Sequence, residues 1–288
     1  MPHRIAFIVN PRAGAGNPPI EPLARLLANE GAAVTTYRTD ALRTTADIDQ
    51  ALGRADAAVI GGGDGTVNSM IASILRHAVP LGIIPLGTAN DLARTLDIPS
   101  DPLEAGRVVL AGRTRRIDVG QANGLHFMNA AGVGLSVAIG ERLSQAEKAR
   151  LGVLAYARHL WRLLGRGEGL RAEIDGDGLR LRGRVVQVTV ANGRHYGGGM
   201  TVHDGAQIDD ATLTVLVVRP QSLLTYARHI LAFRSGRFRP DAPVALGRTT
   251  RLALRTRPAQ SVALDGEIRT TTPVELRVLP QALTVHVP

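Results

Sequence analysis

Cysteine is absent from this 288-residue sequence, which excludes disulfide frameworks, thiolate metal centres and cysteine nucleophiles. Lysine is almost as scarce: Lys148 stands alone, so nearly all of the positive charge behind a net +9 is arginine. Aromatic residues make up only 3%, too few for a surface on which nucleic-acid bases stack. No apolar run approaches the roughly 18 residues that cross a bilayer, and the run at residues 5–9, stopped by Asn10-Pro11, is too short for a signal-peptide core. The eight histidines never pair at helical ligand spacing, which leaves transition-metal chemistry without support. The expectation is a cytoplasmic protein whose membrane contact, if any, is peripheral, with a charge suited to nucleic acid, anionic lipid or phosphorylated ligands.

What is present is an ordinary globular composition, 44% hydrophobic and 20% charged, in a chain long enough for two cores. Residues 5–9, 34–37, 57–60 and 81–84 are short apolar runs, and residues 20–28, 46–52, 67–76 and 90–95 carry helical patterns between and after them. That alternation predicts a Rossmann-like α/β domain with a parallel sheet, whose ligands bind at the carboxyl ends of the strands. Beyond Asp118 the texture turns to β: residues 115–122, 125–131, 170–174, 184–191, 212–218, 251–255, 261–264 and 274–279 read as strands, with helices over 140–164 and 222–233. An antiparallel β-sandwich is expected there. The boundaries are 1–118 for the α/β domain and 119–278 for the β-rich domain. The terminal run 283–287 can finish the second domain or return to the first, in which case 279–288 completes the first.

Three glycine-bearing turns follow strand-like runs. Gly61-Gly62-Gly63-Asp64-Gly65-Thr66 leads straight into a helical pattern, so its amides and the helix N-terminus form an anion cradle. A carboxylate inside such a cradle repels phosphate unless a cation intervenes, and Asp64 therefore points to a metal–nucleotide complex. Pro85-Leu86-Gly87-Thr88-Ala89-Asn90-Asp91 repeats the device, with Thr88 and Asp91 at capping-box spacing. Asn10 to Asn17 supplies a third turn. No Walker lysine exists, and Pro19 stands where a dinucleotide fingerprint needs its third glycine.

In order and spacing, these blocks together with Ile117-Asp118-Val119-Gly120, Phe127-Met128-Asn129, Tyr196-Gly197-Gly198-Gly199-Met200 and Leu264-Asp265-Gly266-Glu267 resemble the bacterial lipid kinases of the diacylglycerol kinase catalytic-domain group, relatives of sphingosine and ceramide kinases. The resemblance covers nearly the whole chain. It implies an active site in an interdomain cleft that binds ATP and Mg2+ and phosphorylates a lipid hydroxyl, most simply that of diacylglycerol. It places the phosphates over Gly62, Gly63, Asp64, Gly65, Thr66 and Asn68, with further contacts from Asn10, Thr39 and Thr88. Asp64, Asp91, Asp118 and Asp265 match the acids that organise magnesium, with Arg94 as a basic partner. Glu267 matches the catalytic base, with Asp265 and Asp64 beside it in the catalytic set. A structural magnesium site in relatives aligns with the Asp210 side chain and the carbonyls of Gln207 and Thr212, although Ala211 stands where the family usually has glycine. The partner implied is lipid at a membrane surface and not nucleic acid, with a homodimer left open. The rival readings are a NAD kinase-like phosphotransferase, a non-enzymatic ATP-binding sensor and a DNA-binding protein.

Overall fold

The computed structural model describes residues 4–14, 18–28, 31–142, 169–228, 235–238 and 244–288. Part of the expected turn at 10–17, nearly all of the helix expected over 140–164 and the end of the one over 222–233 lie outside the described residues. The chain divides into two compact units: Met1–Val119 with Gly197–Gly199 and Pro280–Pro288, and Gly120–Tyr196 with Met200–Leu279.

In the first unit, strands Ala33–Arg38, Arg4–Val9, Ala57–Gly62 and Leu81–Pro85 lie side by side in that order, all parallel. Val285 then pairs with Leu81, also parallel, so the terminal run does return to this unit. The three inner strands are buried along nearly their whole length, as a parallel sheet covered on both faces requires, whereas the edge strand Ala33–Arg38 is largely exposed. Phe7, Ile8 and Ile60 from strands and Leu23, Leu27, Ile71 and Ile74 from helices are fully buried.

The 3.6-residue periodicity of Ile20–Ala28 and Thr45–Leu52 produces the helices it predicts. The third helix, Asp64–His77, begins inside the glycine turn, three residues ahead of its apolar pattern. A further helix, Pro102–Ala111, escaped the periodicity reading. Its signal is local: Asp101 caps the Leu103 and Glu104 amides, Pro102 opens the first turn, and Gly112 closes the end in the left-handed region.

The second unit is a sandwich. One sheet runs Val244–Thr249, Leu213–Val218, Gln187–Ala191, Ala130–Gly134, Ser261–Leu264, Glu267–Thr271, all antiparallel. The other runs from the first half of Val274–His286 through Arg251–Arg257 and Leu170–Gly176 to Leu179–Val185. Val133, Val190, Val215 and Val262 of the first sheet share one core with Ile174, Leu252, Leu254 and Leu276 of the second. Residues 125–131 are not one strand. The chain breaks at Met128-Asn129 because the amides of Met128, Asn129 and Ala130 go to the Asp265 carboxylate. Conversely, 274–279 and 283–287 belong to one strand, Val274–His286, irregular at Gln281, whose φ is +47°.

Candidate active site

In the first unit the candidate residues gather at the carboxyl ends of the parallel strands. Asn10 follows Val9; its backbone N–H donates to the Gly61 carbonyl at 2.8 Å and its side chain to the Thr66 hydroxyl at 3.3 Å. Thr39 follows Arg38, its N–H bonded to the Val9 carbonyl. The helix carrying Asp64, Gly65, Thr66 and Asn68 starts at Gly63 with no side-chain cap, which leaves its first turn suited to an anion. Gly63 and Gly87 bring the two main turns backbone to backbone: a Cβ on Gly87 would lie 2.5 Å from the Gly63 Cα. No side chain fits there.

Thr88 does not act as the cap its spacing suggests. The residue before helix Asp91–Thr95 is Asn90, left-handed at φ +51°, and its side chain bonds the amide and carbonyl of Gly87 instead. The helix N-terminus is capped from the neighbouring turn: Asp64 accepts the Asp91 and Leu92 amides, each at 3.0 Å. Thr88 is exposed on the turn. A cap from a residue 27 positions away has no local sequence signature.

Asp91 is buried and accepts the amides of Gly198 and Gly199 at 2.8 and 2.7 Å. Burial pushes its carboxyl above the ordinary carboxylate range; the Asp64 charge adds to the rise, and the two glycine amides and Arg94 oppose it. Gly197, Gly198 and Gly199 all have positive φ, and a Cβ on Gly199 would collide with the Arg94 guanidinium. Gly198 and Gly199 hold the candidate Asp91, a contact that the sequence signals only as three consecutive glycines in the Tyr196–Met200 block. Asp118 is fully buried and accepts the Gln281 amide at 2.7 Å.

In the second unit, Asp265 and Gly266 form a two-residue hairpin turn at φ +48° and +87°, both left-handed, as Asp-Gly between strands predicts. The Asp265 carboxylate accepts the amides of Met128, Asn129 and Ala130 at 2.7, 2.8 and 3.0 Å, and its own N–H returns to the Ala130 carbonyl. Glu267, first residue of the return strand, is exposed and ion-paired with Arg269 at 3.1 Å. A groove of about 800 Å³ in this unit, whose lining includes Gln121, Asp175, Asp177 and Arg251, contains none of the candidate residues.

The loop aligned with a structural magnesium site is organised differently. Ala211 keeps the left-handed conformation, at φ +57°, without being glycine. Asp210 accepts both the amide and the hydroxyl of Thr212, and its other carboxylate oxygen is taken by the Arg248 guanidinium, which also bonds the Thr212 hydroxyl. Gln207 is exposed nearby in the chain. An arginine already neutralises the carboxylate, so this donor set does not fit a magnesium ion. Nothing in the sequence marks Arg248, 38 residues downstream, for that role. Asp210→Ala is expected to cost about 2 kcal/mol, equally in magnesium and in EDTA, by urea unfolding of nucleotide-free protein. A loss confined to magnesium would show that a metal holds the loop.

At the Asp64–Asp91 pair two acidic charges bear on one another, although each carboxylate also accepts two backbone amides. Two neighbouring acids, one of them buried with its pKa driven upward, are relieved by a cation. Among the described residues no cluster of three or more His, Asp or Glu side chains is arranged to ligate a metal.

The chain is similar over its length to proteins of known families. The diacylglycerol kinase catalytic domain family matches residues 4–122, and the YegS C-terminal NAD kinase beta sandwich-like domain matches residues 130–287. A "Probable lipid kinase YegS-like" protein of Citrobacter koseri is 30% identical over 286 residues, covering 96% of this chain and 93% of its own. A Bacillus subtilis diacylglycerol kinase is 30% identical over 257 residues, covering 88% and 84%. A crystal structure from Bacillus anthracis (strain Sterne) superposes with a TM-score of 0.83 at 26% identity, over 100% of this chain and 96% of that one. Relatives of this identity and coverage, with both domain families matched, make the chain a member of the diacylglycerol kinase catalytic-domain family of lipid kinases, enzymes that use ATP.

Proposed function

We propose that this lipid kinase transfers the γ-phosphoryl group of ATP to the free hydroxyl of diacylglycerol, producing phosphatidate, at the surface of a membrane it contacts peripherally. The observation that carries the nucleotide half is the uncapped start of helix Asp64–His77, pressed against the Gly87 turn. Its first-turn amides, with Asn10, Thr39, Thr66, Asn68 and Thr88 around them, receive the phosphates. Asp64 and Asp91 would hold Mg2+, which when bound neutralises charge on the β- and γ-phosphates. Asp118 and Asp265 support the backbone around the groups that react.

The acceptor oxygen bonds to the γ-phosphorus while the bond to the β–γ bridging oxygen breaks, and ADP leaves with that electron pair. The acceptor proton passes to the Glu267 carboxylate. The loose phosphoryl transition state needs the acceptor proton removed only late, so a carboxylate within reach of the acceptor oxygen suffices as its base. Diacylglycerol is preferred as acceptor because the Bacillus subtilis relative bears that name.

The test is incubation with γ-labelled ATP and micelles of diacylglycerol, a sphingoid base or phosphatidylglycerol, with each labelled product identified. Labelled phosphatidate is expected. Label in another lipid reassigns the acceptor, label in NAD moves the chain to the NAD kinases, and ATP binding with no labelled product makes it a sensor.

A further inference from the structure

The outer face of the second unit's Leu170–Gly176 sheet carries its charges unevenly. Arg257 lies directly opposite Arg171, and Arg171 directly opposite Arg184, so three exposed arginines stand side by side across three strands. Directly opposed residues have Cβ atoms only about 4.5–5.5 Å apart, where like charges destabilise the sheet. The next outward-facing rung is Arg255, Glu173, Arg182, all exposed. That end of the face therefore holds five arginines against one glutamate.

The opposite end is neutralised: Arg180 pairs with Asp175 at 3.0 Å and Arg251 with Asp177 at 3.5 Å, while Arg277 donates to Gln121 at 2.8 Å. Among the described residues none of Arg171, Arg182, Arg184, Arg255 and Arg257 enters an ion pair or a side-chain hydrogen bond. The inner face of the same strands packs into the sandwich core through Ala172, Ile174, Leu252 and Leu254. The arginine row is thus held rigidly outward on a β-sheet.

We infer that this row is a docking surface for an anionic bilayer. A row of like charges left without acids while the opposite end of the face is paired fits a partner that brings its own negative charge. A broad sheet face matches the planar charge of a lipid surface, whereas 3% aromatic residues offer nothing for bases to stack upon. The choice of partner rests on the lipid-kinase reading of the preceding section. The row itself does not.

Cosedimentation of the full chain with phosphatidylcholine vesicles, with and without phosphatidylglycerol, tests the inference at about 0.1 M salt. Each basic residue near an anionic surface is worth about 1 kcal/mol. Arg171→Gln/Arg184→Gln/Arg257→Gln should therefore lose on the order of a hundredfold in partitioning to anionic vesicles. Arg180→Gln/Arg251→Gln/Arg277→Gln makes the same change in net charge at the paired end and should lose much less. Lysine at the three row positions should restore binding, and the row variant should unfold no earlier than the parent, since repulsion is relieved. Equal losses in the two triple variants, no loss in the row variant, or indifference of the parent to phosphatidylglycerol would each overturn the inference. Loss of duplex DNA binding with vesicle binding retained would assign the row to nucleic acid. Turnover in detergent micelles is measured separately: a parent that phosphorylates no micellar lipid would defeat the proposed function while the vesicle result stood.

Discussion

Glu267→Gln is expected to lower kcat for lipid phosphorylation by about two to four orders of magnitude, the range of positioned acid–base catalysis, and to leave ATP binding and unfolding unchanged. The expectation combines the proposed role with what surrounds the residue. Glu267 is exposed, and its one described ion pair is to Arg269, itself partly exposed, two residues along the same strand. Surface pairs of this kind contribute little to stability. Glutamine keeps the shape and hydrogen-bonding reach but cannot accept the acceptor's proton. The measurements are kcat with saturating micellar lipid, nucleotide affinity by equilibrium titration, and a urea unfolding curve. Lipid phosphorylation near the parent rate would remove Glu267 from the mechanism. A reduced rate accompanied by an equal loss of stability would make it a structural residue.

What was legible in the sequence is what short-range rules govern. Helices Ile20–Ala28 and Thr45–Leu52, the buried parallel strands and the Asp265-Gly266 hairpin follow from periodicity and turn chemistry within a few residues. Helix Pro102–Ala111 was readable from Asp101, Pro102 and Gly112, but the residues it buries, Ala105, Gly106 and Val109, are small and mark its inner face poorly. Val244–Thr249 was missed for a different reason: it is an edge strand with a glycine inside it and incomplete alternation. The site divides the same way. Its glycine turns announce themselves, whereas the contacts that set its geometry join residues far apart in the chain. Asp64 capping the Asp91 helix, Asp91 on Gly198 and Gly199, and Arg248 on Asp210 are properties of the folded backbone. Asp265 breaking the strand expected over 125–131 is the plainest case, since alternation within that segment cannot foresee a carboxylate 135 to 137 residues away.

That carboxylate is where the largest structural effect is expected. Asp265→Asn should destabilise the second unit by about 3–5 kcal/mol and abolish most activity. Three backbone amides converge on the Asp265 carboxylate, two of them on the same oxygen, and bonds to a charged acceptor contribute about 1.5–3 kcal/mol each. An asparagine presents one acceptor oxygen and one NH2. Whichever way it turns, at least one amide faces another donor, and the charge that strengthens the remaining bonds is gone. The full sum of three bonds is not expected, because the chain at Met128-Asn129 can relax toward water. The loss should be local before it is global. Hydrogen exchange at the Met128, Asn129 and Ala130 amides should accelerate well beyond that of the buried strand Leu213–Val218. Since Glu267 lies two residues beyond Asp265 on the same hairpin, loosening the turn should lower kcat more than it raises the Michaelis constant for ATP, whose proposed phosphate cradle is in the other unit. Unchanged exchange at those three amides, or a unit that unfolds within about 0.5 kcal/mol of the parent, would show that the three-amide clamp is not what holds this turn in place.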